Sequence, residues 1–312
     1  MSGKLNLILG RADTGKTARV VAALKAHQSA GERAILLVPE QYTYEAERLL
    51  ADALGGLLGV QVFSFDRLCE RVLSLSGTTR PFLSTQGYRM VIRRAINLKK
   101  DNLTLFARAA EGAGFAEEAQ GIFQDFKRAG LSPDALDALI VRLPEGAPLT
   151  EKLSDLSILY RETESYLSER YLSLDDAASE ALRLLPESFV AGTSVYIDGL
   201  DRPNQQVLML IGEMLRICPV VTATLRMDCL QRADDELFEP EREVQLQLRI
   251  VAERTGATIT EERLCEQTNQ AVPLMRHIER NLFAYPAEVY HSNAEKLTLF
   301  GASSRRAEAE SL

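Results

Sequence analysis

The run Gly10-Arg11-Ala12-Asp13-Thr14-Gly15-Lys16-Thr17 fits G-x-x-x-x-G-K-[ST] without a gap. That spacing has a physical purpose. The turn points successive backbone N–H groups inward, where they cradle a phosphate, and the helix that follows adds the positive end of its dipole. Lys16 is placed to reach the β- and γ-phosphates of a nucleotide, and the Thr17 hydroxyl to ligate Mg2+. ATP and Mg2+ are the expected cofactors.

A phosphate loop drives a motor only with a second element. This is a strand ending in an acid that holds Mg2+, with a carboxylate that positions water. The segment VYIDGL supplies Asp198 as the second metal ligand, but the next residue is Gly199, where an active helicase of this type carries Glu. Glycine neither orients water nor accepts a proton, and Asp201, in a turn, is a poor replacement. Too few residues precede Gly10 for a glutamine-bearing segment that reads adenine, and the arginine of a second motor domain is also missing. The sequence therefore reads as a phosphate-binding site in a degenerate motor, with no catalytic residue assigned. A rival reading is a genuine P-loop ATPase or kinase, for which Glu40 is the well-placed carboxylate. Another is a purely structural platform for a partner helicase subunit.

Two further segments, VPEQYTY and FSFDRL, follow the second and third expected strands. Tyr42, Tyr44, Phe63 and Phe65 offer stacking faces for single-stranded DNA, and Gln41, Thr43 and Ser64 offer phosphate donors. Phe63 and Phe65 alternate, so at least one is expected in the core. Arg89, Arg93 and Arg94, with Lys99 and Lys100, form a basic patch of the kind that more often marks a solvated helix face. Arg305 and Arg306 are open to either reading.

The elements that must position these residues alternate. LNLIL is a buried strand ending in Gly10; Thr17 to about Ala30 is a helix with Val20, Val21 and Leu24 on one face, stopped by Gly31. AILLVPE is a strand, YTYEAERLLADAL a helix, GVQVFSF a strand, and FDRLCERVLSL a helix capped by Ser64 or Asp66. This is the α/β pattern of a parallel sheet. After Gly77 the spacing turns helical through TQGYRMVIRRAINL, GFAEEAQGIFQDFKRAG and EKLSDLSILYRETESYLSERY, with no convincing strand. Strands return at SVYIDGLD and VVTATLRMD, separated by the helix PNQQVLMLIGEMLRI. Residues 229 to 296 read as helical and polar. LTLFGAS then reads as one more strand, and RRAEAESL as the start of a helix. The expected division is 1–78 and 173–228 for the two parts of an α/β domain, 79–172 for an all-helical insertion, and 229–312 for a helical connector and the beginning of a second α/β domain.

The chain has 312 residues, 46% apolar and 26% charged, with a net charge of -8. This is a soluble globular composition, without the global basic signature of a free-standing DNA-binding domain. No apolar run approaches the roughly 20 residues needed to cross a bilayer, and MSGKLNLILG reads as a strand and not a secretory signal. Cys69, Cys218, Cys229 and Cys265 show no C-x-x-C spacing; they are expected to be small buried thiols in a reducing cytoplasm. His27, His277 and His291 show no metal-ligand spacing.

Taken in order, LGRADTGKT, LLVPEQYTYEAERLL, VQVFSFDRLCERVL, LSDLSILYRETESYLSERYLSLDD, VYIDGLDRPNQQVL, ELFEP and LTLFGASSRRAEAE resemble the N-terminal part of the AddB/RexB family, the B subunits of bacterial AddAB (RexAB) ATP-dependent helicase–nucleases. Many families share the phosphate loop; the succession LVPEQ, SFDRL, YIDGL is far more specific. The resemblance implies a superfamily 1 helicase-like domain, with a RecA-like P-loop parallel sheet and a degenerate motor. The implied partner is an AddA-type helicase–nuclease subunit. The implied work is processing of DNA double-strand ends for recombinational repair, on double- and single-stranded DNA, with scanning for the Chi sequence, in the cytoplasm and away from membranes. The family's nuclease domain and its iron–sulfur cluster lie beyond Leu312, and none of the four cysteines matches the cluster ligands. The family's F-T-P-Q after the IDG motif is here Arg202-Pro203-Asn204-Gln205, which removes its aromatic.

Overall fold

In the computed structural model of the chain, the described residues are 3–77, 80–81, 83–112, 114–144, 146–168, 170–172, 174–228, 235–266, 273–292, 297–298 and 300–311. Strands β1 (Lys4–Gly10), β2 (Ala34–Leu37), β3 (Val60–Phe63), β4 (Ser194–Ile197), β5 (Val220–Arg226) and β6 (Thr258–Leu264) form one sheet in the order β3-β2-β4-β5-β1-β6. Every pairing is parallel. The architecture is a RecA-like α/β fold with helical insertions. The strand sequences explain it. β2 and β4 are buried along their whole length, as strands covered by helices on both faces must be.

Helix α1 (Lys16–Ser29) follows β1, α2 (Thr43–Leu54) follows β2, and α3 (Phe65–Leu75) follows β3. The chain then runs through α4 (Thr85–Lys99), α5 (Phe115–Arg128), α6 (Pro133–Ile140), α7 (Pro148–Ser168) and α8 (Leu174–Leu184) before β4. Helix α9 (Gln205–Ile217) joins β4 to β5, α10 (Glu239–Thr255) precedes β6, and α11 (Pro273–Asn281) and α12 (Arg305–Ser311) come last. Val20, Leu24 and Leu50 bring α1 and α2 onto the sheet face carrying Ile8, Leu36 and Val62. The opposite face, with Leu5, Leu7 and Leu9 from β1, is covered by α3, α8, α9 and α10 through residues such as Leu68, Ala181, Ile211 and Leu248.

Helices α4 to α7 build a separate core around Tyr88, Ile92, Phe123, Leu159 and Tyr160. The Ser84 and Ser132 hydroxyls cap α4 and α6 by accepting from Gly87 and Ala135 N–H. The buried Lys127 of α5 pairs with Glu164 of α7 at 2.8 Å and with Asp176 of α8 at 2.6 Å, so one ammonium joins this core to a helix packed on the sheet. Burial pushes the Glu164 carboxyl up from its ordinary value, and Lys127 opposes that.

Three expectations are corrected. The segment TITEERL lies in the stretch read as helical, yet Thr258–Leu264 is strand β6, paired with β1. It is an edge strand, half exposed, and its charges Glu261, Glu262 and Arg263 are what an edge tolerates; they also hide it from a search for apolar runs. Conversely, residues 297–298 and 300–302 of LTLFGAS carry no regular structure. An apolar run becomes a strand only where another strand pairs with it; Leu299 lies outside the described residues. Finally, Cys69 and Cys218 are buried free thiols, pushed up to about 12 by burial, but Cys265 is disulfide-bonded. A disulfide requires only that two Cα atoms approach within about 4.4–6.8 Å, which spacing along the chain does not report. Cys229 lies outside the described residues. Among those residues no helix is long and apolar enough to cross a membrane.

Candidate functional site

The phosphate loop is built as its residue types require. Gly10 closes β1 where a Cβ would stand 2.3 Å from Thr14 Oγ1 and 2.8 Å from the Leu264 carbonyl oxygen, so only glycine fits. Asp13 and Gly15 take positive φ of 62° and 85°, conformations that glycine, and aspartate among the rest, adopt most readily. Thr14 is buried and donates to the Arg11 carbonyl at 3.0 Å. Helix α1 begins directly at Lys16. The Lys16 ammonium is folded against the loop, donating to Gly10 O at 2.7 Å and Arg11 O at 2.6 Å. Burial lowers its pKa, Asp198 works against that, and Arg226 adds to it.

Thr17 Oγ1 donates to Asp198 Oδ2 at 2.8 Å, and the buried Thr224 hydroxyl donates to Asp198 Oδ1. Asp198 stands just past β4, and β5 lies between β4 and the strand that carries the loop. Octahedral Mg2+ with bonds of about 2.0–2.1 Å brings neighbouring ligands to about 2.9 Å, so these two hard oxygens fit a Mg2+ ligand pair. The loop N–H groups and Lys16 fit a phosphate chain. Ala12 and Asp13 are exposed at the turn.

Arg11 does something the motif does not announce. Its Nε donates to Glu279 Oε1 at 2.8 Å, one terminal nitrogen to the Glu279 carbonyl at 2.8 Å and the other to Asp228 at 3.1 Å. Its guanidinium lies 5.1 Å from the centroid of the Phe238 ring. Burial disfavours the charge, but Glu279 and Asp228 outweigh it and raise the pKa. The phosphate loop is thereby tied to α11. No local signal reveals this, because Glu279 is 268 residues away.

Gly199 follows Asp198 with φ of 79°, a conformation that L-residues with a Cβ rarely adopt. The peptide here is thus shaped for glycine and not for a catalytic carboxylate. Glu40, the rival candidate, accepts from the Ser64 hydroxyl. It lines a cleft of about 550 Å3 with Asp66, Arg67, Gln124, Arg128 and Asn204, where α5 comes close to the carboxyl ends of β2, β3 and β4.

The remaining sequence candidates divide. Tyr42 and Tyr44 are 51% and 72% exposed, and Gln41 is exposed beside them. Thr43 is buried and donates to the Glu40 carbonyl at 2.9 Å. Ser64 is buried and caps α3, accepting from Arg67 N–H at 3.3 Å. Phe63 and Phe65 are half-buried against the core. The structure therefore brings Gln41, Tyr42 and Tyr44 to the surface, and engages Thr43 and Ser64 internally. Arg67 lines the cleft, although sequence reasoning did not single it out. Four residues of the basic patch are partnered: Arg89 with Glu117 and Gln120, Arg93 with the Gly112 carbonyl, and Arg94 and Lys99 with Glu162.

Residues 7–279 match the family described as ADDB, N-terminal. Similar curated proteins are each named as the B subunit of an ATP-dependent helicase/deoxyribonuclease. The chain is 33% identical to the one from Moorella thermoacetica and 33% identical to that from Desulforudis audaxviator, over 98% of its length in both cases. It is 32% identical to the Geobacillus kaustophilus protein over 99%. The chain spans 28% of the length of each of these relatives. The loop at Gly10–Thr17, the Thr17–Asp198 link and the surface at Gln41–Tyr44 all fall inside the matched span, and the chain belongs to the family of AddB N-terminal regions.

Proposed function

We propose that this chain is the nucleotide-binding, helicase-like part of an AddB-type subunit whose own motor is degenerate. The observation that carries the reading is the assembled pair of Lys16 on the phosphate loop and Thr17 on Asp198, beside a Gly199 whose backbone suits no catalytic carboxylate. Lys16 and the loop N–H groups would hold the phosphates, and Thr17 and Asp198 would hold Mg2+. The metal would neutralise charge on the phosphates. In this reading these residues bind and orient, and Gly199, next to Asp198, carries no group to activate water.

Gln41, Tyr42 and Tyr44, at the carboxyl edge of the sheet, support single-stranded DNA binding by stacking and polar contact with the backbone. In this reading the chain works in the cytoplasm within a heterodimer. An AddA-type subunit supplies the active helicase, and the complex processes double-strand ends and scans for Chi. The relatives are named as one subunit of a helicase/deoxyribonuclease, which supports a partner chain.

The test is calorimetric titration of the chain with ATP and Mg2+, beside Lys16→Ala, with phosphate release measured in parallel on single-stranded DNA. Binding that Lys16→Ala removes, without turnover above background, is expected. Turnover abolished by both Lys16→Ala and Glu40→Gln would establish the ATPase reading instead. Absence of nucleotide binding by the wild-type chain would establish the structural platform.

A further inference from the structure

We infer that the groove between α9 and α10, on the sheet face opposite α1 and α2, docks an amphipathic helix of another polypeptide, one that carries carboxylates at one end of its apolar stripe.

The groove follows from how the two helices must lie. Helix α9 turns directly into β5 and α10 into β6, and both strands run parallel to β1, which lies between them. The helices therefore point the same way, and their C-termini share one end. They meet at a glycine: a Cβ on Gly212 would stand 3.3 Å from Val251 Cγ1 and 3.9 Å from Thr255 Cγ2. Beside this close approach a groove of about 420 Å3 opens. Met209 and Ile250 line it and are 46% and 38% exposed, with the buried Leu208 beside them. From Gln205 to Arg216, at about 1.5 Å per residue, it runs about 16 Å, or three turns of a helix.

The walls decide what fits. Every lining residue belongs to α8, α9 or α10, so along most of the groove the backbone groups are already paired within helices. An extended peptide would find few backbone partners there. A helix satisfies its own backbone and offers apolar side chains at i, i+3, i+4 and i+7. The charges then give the groove a direction. Its charged lining residues are Glu213, Arg216 and Arg254. Glu213 is engaged by Arg216 at 3.0 Å, whereas Arg254 is exposed and has no ion-pair or hydrogen-bond partner among the described residues. Both arginines stand in the last turns of their helices, so one end of the groove carries an excess of positive charge in a chain of net charge -8. The amides of Gln205 and Gln247 lie towards the other end. Carboxylates facing Arg216 and Arg254, with an apolar stripe over Met209 and Ile250, complement both features. A second copy of the chain fits less well, because two such grooves face to face leave the space between them unfilled.

The experiment selects from a displayed library of helix-forming peptides, about fourteen residues long to span three turns with a short overhang, against the whole chain. Affinities of the selected peptides are then read by fluorescence anisotropy. The expected winners carry apolar residues at i, i+3, i+4 and i+7 and Asp or Glu at one end. Met209→Asp/Ile250→Asp, at two exposed positions, should abolish their binding and leave the urea midpoint in place. Arg216→Glu/Arg254→Glu should weaken it about tenfold, the scale of two exposed ion pairs, and peptides with Lys in place of their acids should bind that variant better than wild type. Winners without an acidic end, no winners at all, or equal binding to Met209→Asp/Ile250→Asp overturns the inference. So does self-association of the wild-type chain in sedimentation that Met209→Asp/Ile250→Asp removes, which assigns the groove to a second copy.

Discussion

Thr17 Oγ1 lies 2.8 Å from Asp198 Oδ2, although 181 residues separate the two in the chain. The contact is prepared from both sides. Thr17 is placed by the start of α1, and Asp198 is held by the Thr224 hydroxyl on its other oxygen. A carboxylate oriented by two hydroxyls is preset to ligate a hard cation. Asp198→Asn should therefore weaken nucleotide binding about tenfold in the presence of Mg2+, by the scale of losses at perturbed metal sites, and should leave binding in EDTA unchanged. Thr17→Val should act in the same direction. Equal losses with and without Mg2+ would count against a metal role.

The lowered pKa of Lys16 gives a pH dependence with a definite sign. In the free chain, burial as the largest cause depresses the pKa below the ordinary lysine value, and Asp198 only partly restores it. Phosphate beside the ammonium favours the charged form, so the complex holds the proton more tightly than the free chain does. Nucleotide affinity is then full below that depressed pKa. It declines as pH rises through the depressed pKa, before the ordinary lysine range near about 10.4. Arginine stays charged throughout, so Lys16→Arg should flatten the profile whatever its absolute affinity. Calorimetric titrations at stepped pH read this directly; a wild-type profile as flat as the Lys16→Arg profile would refute it.

The sequence made some of this legible, and the reasons differ by element. β1, β2, β4 and β5 show as mainly apolar runs because parallel strands inside the sheet are buried on both faces, and β3, at the other edge, shows as the alternation VQVF with Gln61 exposed. β6 does not, because an edge strand with Glu261, Glu262 and Arg263 has neither the run nor a clean alternation. The phosphate loop is contiguous, so its motif is readable, and Asp198 is readable because a strand precedes it. The Arg11 contacts to Asp228 and Glu279 depend on where β5 ends and where α11 packs, which no local window contains. Thr43 and Ser64 were readable as polar residues after strands, but that chemistry serves a cap or a turn as well as it serves a DNA phosphate. Burial decides between those uses, and burial is tertiary.

Gly199 should resist replacement for a backbone reason. With φ at 79°, any residue with a Cβ carries a penalty of about 1–2 kcal/mol, while the added Cβ itself meets nothing closer than Pro39 Cδ at 3.4 Å. Gly199→Ala and Gly199→Glu should therefore both lower unfolding free energy by about that amount in urea titrations. Gly199→Glu should yield no ATP turnover, because the strained peptide does not aim the new carboxylate. If Gly199→Glu proves as stable as wild type and active, the degenerate-motor reading is wrong at this position.

Arg11→Ala should loosen α11 without unfolding the sheet. The side chain makes charge-assisted hydrogen bonds to Asp228 and Glu279 and lies against Phe238; contacts of that kind are worth about 1.5–3 kcal/mol each when one partner is removed. Their loss falls on residues 273–281, whereas β1 remains held by β5 and β6. Hydrogen exchange should rise across α11 and stay slow in β1 and β5. Uniform acceleration, or none, would show that Arg11 does not hold α11.

The exposed tyrosines separate a DNA surface from an internal brace. Tyr42 and Tyr44 stand largely in solvent, beside Gln41, at the turn between β2 and α2, so truncating them removes little packing. If bases stack on them, the Tyr42→Ala/Tyr44→Ala variant should lose about 1–3 kcal/mol of single-stranded DNA affinity for each base unstacked. Its urea midpoint should be unchanged. Ser64→Ala should behave in the opposite way. Ser64 is buried, caps α3 through Arg67 N–H and donates to Glu40, so its loss should cost about 1 kcal/mol of stability with little change in DNA affinity. Fluorescence anisotropy on an oligothymidine, at fixed salt because phosphate contacts are salt-dependent, reads the first effect, and urea unfolding the second. Tyrosine variants that bind as tightly as wild type would remove the stacking platform from this face. A Ser64→Ala chain that unfolds normally but releases DNA would return the hydroxyl to the nucleic-acid contact.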